Sequence, residues 1–473
     1  MQIMANGIDY TTGRVLIAPM EVEALSQRLE QALQQNIDEV RELAGSTRQG
    51  MTFRDEIESL PTPNLADPRA AGWRFLVNEN DPHYEAIVEA IRPLAEHRGM
   101  AGPDRPFLYR GETVDEWFDW MTDNYSPLAL GTGVPFYVLI VGGPDQVPFA
   151  FQSMLASAAA VGRLDFDTVD DLHVYVEKVL RLEQAEQPAA RRRAIFFAPD
   201  YGLDDATYFS RKYMAEPLAQ HVREARGFPT VSLTGDEATK EKLAQALSGA
   251  RPALVFTASH GVGARNHPLA TQKQVNGAIC CRREGEAEWI YTAADVPANE
   301  PFLEGAVFFQ FACFGYGTPA ESDYNHWLNE PTLNAEQDFV AALPRRLITL
   351  PRGPVAYIGH LDTAFLHGFD DPESPYALER WDLRIAPFVR ALDELLGAHP
   401  PGLAMRDMGK RYDLTNAQLT STYDRAQRGR LRFTPAVRRR FVDLFITRSD
   451  AQNYMIYGDP AVQVRILDEP EDG

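Results

Sequence analysis

Cysteine is scarce in this chain: 473 residues contain three, Cys280, Cys281 and Cys313. Adjacent Cys280 and Cys281 suit mutual pairing badly, and an odd total fits free thiols in a reducing compartment. No apolar run approaches the roughly 18 residues of a membrane span. The opening Met1-Gln-Ile-Met-Ala-Asn-Gly has neither the basic nor the apolar region of a secretory signal. The expected location is therefore the cytoplasm, with no membrane contact. Basic residues are also short, 46 Lys and Arg against 67 Asp and Glu, for a net charge of −21. That balance disfavours nucleic acid and anionic membrane as partners and suits a solubilising acidic surface. Gly-x-Ser-x-Gly and Gly-x-x-x-x-Gly-Lys-Ser/Thr are both missing, which disfavours serine hydrolases and nucleotide-driven machines. His260, His267, Cys280 and Cys281 lack zinc-ligand spacing, so no metal site is assigned to them.

What is present is an alternation of strands and helices. Val22, Leu25, Leu29, Leu33, Ile37 and Val40 recur at helical spacing over 19–45 and predict an N-terminal helical arm, followed by a polar linker to Pro68. Strands are expected at 74–77, 136–141, 194–198, 253–256, 305–311 and 354–358. Helices are expected at 83–97, 112–123, 168–182, 208–224 and 239–247. The apolar runs point to mostly parallel sheets covered by helices on both faces. The length implies more than one unit. The arm and linker take 1–70, one α/β subdomain 71–190 and a second, adjacent one 191–370. A mainly helical insert covers 371–450 and closing strands 451–473.

Two strand ends carry the chemistry. Leu254-Val255-Phe256 leads through Thr257-Ala258-Ser259 to His260-Gly261, and Val307-Phe308-Phe309 leads through Gln310-Phe311-Ala312 to Cys313-Phe314-Gly315. In a parallel sheet both segments finish at one edge, where open α/β folds place their sites. Neighbouring strands would then present an imidazole beside a thiol. Thiolate is the attacking form, and His serves first as base and then as acid for the leaving amine. Gly261 lets a backbone approach closely, so its N–H and that of Cys313 could receive the oxyanion.

Ser259-His260-Gly261 and Ala312-Cys313-Phe314-Gly315 resemble the two signatures of the caspase–gingipain clan. Leu139-Ile-Val-Gly-Gly-Pro-Asp-Gln-Val-Pro148, Gly162-Arg163 and Tyr457-Gly-Asp-Pro-Ala-Val-Gln-Val464 follow the landmarks of the gingipain family in order. The resemblance covers roughly 74–466. It implies two adjacent α/β subdomains, the second caspase-like, and a cysteine endopeptidase working through a Cys313 thioester. It further implies an acid that orients His260, and Asp200 occupies that place. No cofactor is required by this chemistry; a structural calcium accompanies some members of the family, and Asp204-Asp205 or Asp165–Asp171 would be its carboxylates here.

For specificity, the resemblance places a pocket residue near Arg211, or at Asp205 after a small shift. The strand after Cys313 adds Asp362 and the apolar wall Phe365. A carboxylate facing a guanidinium is a strong selector, so the expectation leans to Arg or Lys before the cleaved bond. Substrates would be proteins or peptides, and a regulatory protein partner or a removable N-terminal segment would restrain the enzyme. The competing reading is a catalytically inactive caspase-like scaffold that binds protein partners.

Overall fold

The computed structural model describes residues 2–35, 63–125, 134–203, 205–283, 288–298, 301–322, 324, 333–365, 377–463 and 465–467. Thirteen strands matter to the argument. In the first part of the chain they are β1 (Gly7–Asp9), β2 (Trp73–Asn78), β3 (Phe107–Tyr109), β4 (Tyr137–Val141) and β5 (Ala160–Leu164). The second part supplies β6 (Ala190–Pro199), β7 (Thr230–Gly235), β8 (Pro252–Ala258), β9 (Gly261–Gly263), β10 (Val307–Phe311) and β11 (Ala356–His360). The last two are β12 (Tyr454–Gly458) and β13 (Ile466–Leu467).

Eleven of these form a single sheet, in the order β13-β6-β8-β10-β11-β12-β5-β4-β2-β3, with β7 also paired to β6. Every pairing in it is parallel except β11 with β12. The sheet therefore holds two parallel blocks that run in opposite directions. The closing strand β12 belongs by direction to the first block, where Ile456 pairs with Gly162. The blocks consequently present their strand C-terminal ends at opposite edges. Helices cover the faces: Ile87, Ile91 and Leu94 of Tyr84–His97 and Leu172, Val176 and Val179 of Val169–Gln184 are buried in one shared core.

Most expected elements fall within a residue or two of their places, and the differences have physical causes. β7 was not anticipated, because Thr230-Val-Ser-Leu-Thr-Gly is only half-buried along its length. The helix expected over 208–224 is interrupted by a wider π turn at Arg211–Ala215 between Ala206–Ser210 and Glu216–Glu224. The insert contains Ala377–Leu396, Pro401–Ala404, Arg406–Gln427 and Pro435–Gln452. The N-terminal helix is Val22–Gln35; Val22 and Leu25 pack with Phe441, Val442 and Phe445. Residues 36–62, most of the expected linker, lie outside the described residues. Among the described residues, no helix is long and apolar enough to cross a membrane.

The family landmarks read from the sequence turn out to be joints of the frame. Arg163 is fully buried and ties the loop after β4 together, with Nε on Gln152 (2.7 Å), Nη1 on the Gly142 carbonyl (2.8 Å) and Nη2 on that of Val147 (2.7 Å). Asp459 accepts from Trp73 Nε1 (2.9 Å) and from Arg98, whose guanidinium also forks onto Glu183. A side chain on Gly162 would come within 2.2 Å of the Gly458 carbonyl, so only glycine lets the closing turn seat. Because all three ions are buried, truncating Arg98 to Ala leaves Asp459 without a cation and Glu183 with His97 alone. A loss of about 3–5 kcal/mol in denaturant unfolding is expected. Burial would raise Glu183, but Arg98 and His97 outweigh it and hold its carboxyl at about 2, against the ordinary 4.5. A depressed folded value stabilises the fold above pH 4.5, and that contribution, about 3 kcal/mol, is lost as pH falls from about 5 to 2.

Candidate active site

The strands β8 and β10 are parallel neighbours, with Ala258 opposite Phe311 as the last pair. Ser259 N–H extends the ladder onto the Phe311 carbonyl at 3.2 Å. His260 and Cys313 each lie two residues beyond that last pair, at matching positions on strands spaced by about 4.8 Å. Gly261 is pressed onto the Cys313 backbone. A Cβ there would stand 1.8 Å from the Cys313 carbonyl oxygen and 2.7 Å from its nitrogen, so the position admits only glycine.

The carboxylate on His260 is Asp205, not Asp200. Its Oδ1 and Oδ2 lie 2.9 and 3.0 Å from His260 Nε2. Asp205 is fixed because it caps the short helix Ala206–Ser210, accepting from Thr207 N–H at 2.8 Å. Burial would raise its pKa, but the hydrogen bonds from His260 and Thr207 prevail and hold it below the ordinary value. Asp200 is drawn away by Arg211, whose Nη2 is 3.0 Å distant, and by Gly202 N–H at 2.8 Å. With Nε2 committed to a carboxylate, Nδ1 is the ring nitrogen left for proton transfer. That atom is buried without a hydrogen-bond partner among the described residues. Tyr201 lies over the imidazole, ring centroids 5.6 Å apart, and its hydroxyl is anchored on the Cys281 carbonyl.

The expected pocket residues scatter. Asp205 serves His260, and Arg211 is spent on Asp200 and Glu216. Asp362 is buried near Cys313 and accepts from the Ser322 hydroxyl and the Thr363 N–H, both at 2.7 Å. Phe365 is buried against Tyr324, with ring centroids 4.4 Å apart. The Cys313 sulfur accepts from Ala364 N–H at 3.1 Å. Burial pushes the thiol far up, and the Ala364 N–H only partly offsets this, so the thiol is neutral in this arrangement.

Three participants escaped the sequence reading. Arg265 places Nε and Nη2 out of solvent without partners among the described residues, and the charge of Asp362 acts on it. Tyr201 is the second. The third is the segment Ala5–Asp9, which crosses the site. Ala5 bridges Phe365 antiparallel, and Asn6 N–H donates to the Ala364 carbonyl at 2.9 Å. Gly261 N–H donates to the Asn6 carbonyl at 3.0 Å, and β1 continues parallel to β9 with Gly7 opposite Gly261. A three-residue strand whose partner lies some 250 positions away leaves no periodic signal. Beneath this segment His260 is 2% exposed and Cys313 not at all. Among the described residues, no three His, Cys, Asp or Glu side chains are grouped to hold a metal ion. Asp204 lies outside them.

The sequence pattern of peptidase family C25 matches residues 78–465. The chain belongs to peptidase family C25. As a C25 member it is a cysteine-type peptidase, acting on protein or peptide substrates. Among solved structures, the Arg-specific cysteine proteinase gingipain R (RgpB) is similar at 13% identity and TM-score 0.46, over 86% of this chain and 81% of its own. A structure described as a protease is similar at 12% identity and TM-score 0.48, covering 83% and 78%. The complex of Porphyromonas gingivalis RgpB pro- and mature domains follows at 13% and 0.43, covering 83% and 80%. No curated protein matches this C25 chain.

Proposed function

We propose that this family C25 member is an endopeptidase in which Cys313 attacks the scissile carbonyl. His260 moves the proton, and Asp205 holds the imidazole in the tautomer with Nε2 protonated. The observation that carries this is the Asp205–His260 hydrogen bond, at a strand end in register with Cys313. His260 Nδ1 takes the thiol proton, the sulfur closes on the carbonyl carbon, and the oxyanion faces the amide N–H groups of Gly261 and Cys313. Protonation of the amine by His260 releases the first product, and water then hydrolyses the thioester.

A preference for Arg or Lys loses its support, since Asp205 serves His260 and both Asp362 oxygens are hydrogen-bonded. A peptide chloromethyl ketone tests the reading. Alkylation should fall on Cys313 alone once Ala5–Gly7 no longer covers it, since all three thiols are buried but only Cys313 stands at the strand end in register with His260, and should slow sharply in His260→Ala. No labelling under any activating condition would instead favour the scaffold.

A further inference from the structure

The segment Ala5–Gly7 lies at the site as the main chain of a substrate must. Acyl transfer needs a carbonyl oxygen on fixed donors and a nucleophile close to that carbonyl. The Asn6 carbonyl supplies the first, 3.0 Å from Gly261 N–H. Sulfur stands close on both sides of that carbonyl: it takes the Asn6 backbone N–H, and a Cβ on Gly7 would sit 3.2 Å from it. Any residue but glycine would crowd the approach. The strand is gripped on both sides, by Ala364 and Phe365 before the bond and by β9 after it.

The Asn6 side chain is read as well. It is 0% exposed, and its Nδ2 donates to the Ser259 carbonyl at 2.7 Å, the residue immediately before His260. An aspartate there has no proton to give that carbonyl, and a basic side chain is too long for an enclosed slot. Among the described residues the Asn6 Oδ1 is buried without a partner, and Arg265 Nε and Nη2 are unpartnered donors of the complementary kind.

We propose that this segment is the enzyme's own first substrate: Cys313 cleaves the Asn6–Gly7 bond in cis, and the pocket holding Asn6 selects asparagine before the cleaved bond in other substrates. The proposal rests on the peptidase reading of the same site. Sulfur bonds to the Asn6 carbonyl carbon as the bond to Gly7 nitrogen breaks. The thiol proton passes through His260 to that nitrogen. Water then adds to the thioester, leaving a carboxylate at Asn6 and the thiol restored. Departure of the peptide ending at Asn6 uncovers Cys313.

The test follows the full chain and its Cys313→Ala variant by intact mass and N-terminal sequencing. Peptides carrying Asn, Asp, Gln or Arg before the bond are then supplied in trans. The expected result is a new N-terminus at Gly7 in the wild type only, and at least about 100-fold faster cleavage after Asn than after Asp, since a site that hydrogen-bonds one partner rejects the analogue lacking it. Cleavage of peptides without a Gly7 terminus would overturn the self-cleavage while leaving the peptidase intact. Faster cleavage after Arg or Asp would overturn the asparagine pocket. No cleavage of chain or peptide, with Cys313 unreactive, would overturn the peptidase reading itself.

Discussion

Replacing Cys313 by alanine is expected to lower kcat on an unfolded protein substrate by about 10^6-fold, and His260→Ala to cost nearly as much. The double variant should be scarcely worse than either single one. The two groups act as a unit: thiolate formation needs the imidazole, and the imidazole has nothing to protonate without the acyl transfer. Additive losses in kcat would show that His260 and Cys313 act separately and would break the dyad. The three variants should keep the wild-type far-UV circular dichroism spectrum even where truncating buried side chains lowers the unfolding midpoint, which separates lost chemistry from lost structure.

The second large effect divides two nearby carboxylates. Asp205→Asn is expected to lower kcat by about 10^2- to 10^4-fold, because an amide beside Nε2 permits the wrong imidazole tautomer and gives no stabilisation to the imidazolium. Asp200→Asn should leave kcat within a few-fold and act, if at all, through the Arg211 ion pair. That pair is partly exposed, so the stability change should be about 1 kcal/mol or less. A reversal of the two results would return Asp200 to the His-orienting role. KM should move little in either variant, since neither carboxylate remains free to bind substrate.

The pattern of these sites was partly legible beforehand. The apolar runs before His260 and Cys313 could only be buried strands, and buried strands joined by helices are parallel, so their shared edge followed. The choice between Asp200 and Asp205 was not legible, because it depends on which loop carboxylate turns back over the sheet. Arg211, projecting from a π turn no periodicity announces, captures the first. One signal for the second was available: Asp205 stands two residues before Thr207 at the start of a helix, the place of an N-cap. The Gly458-Asp459-Pro460 turn was recognised by resemblance, yet its work became visible only with Arg98 and Glu183 drawn in from distant positions. Asn6 gave no warning, since one short polar residue beside a glycine looks like any loop.

The placement of β12 bears on how the protein is made. Ile456 pairs with Ile358 on one side and Gly162 on the other, so it is the only described strand that joins the two blocks. During translation, residues 160–164 emerge almost three hundred residues before the strand that must flank them. Until it arrives, both half-sheets carry an open edge, the kind of surface that recruits other chains. Completion of the sheet therefore waits until β12 has been made. A ribosome stalled before Tyr454 would hold two unjoined halves, exposed to chaperones and to aggregation alike.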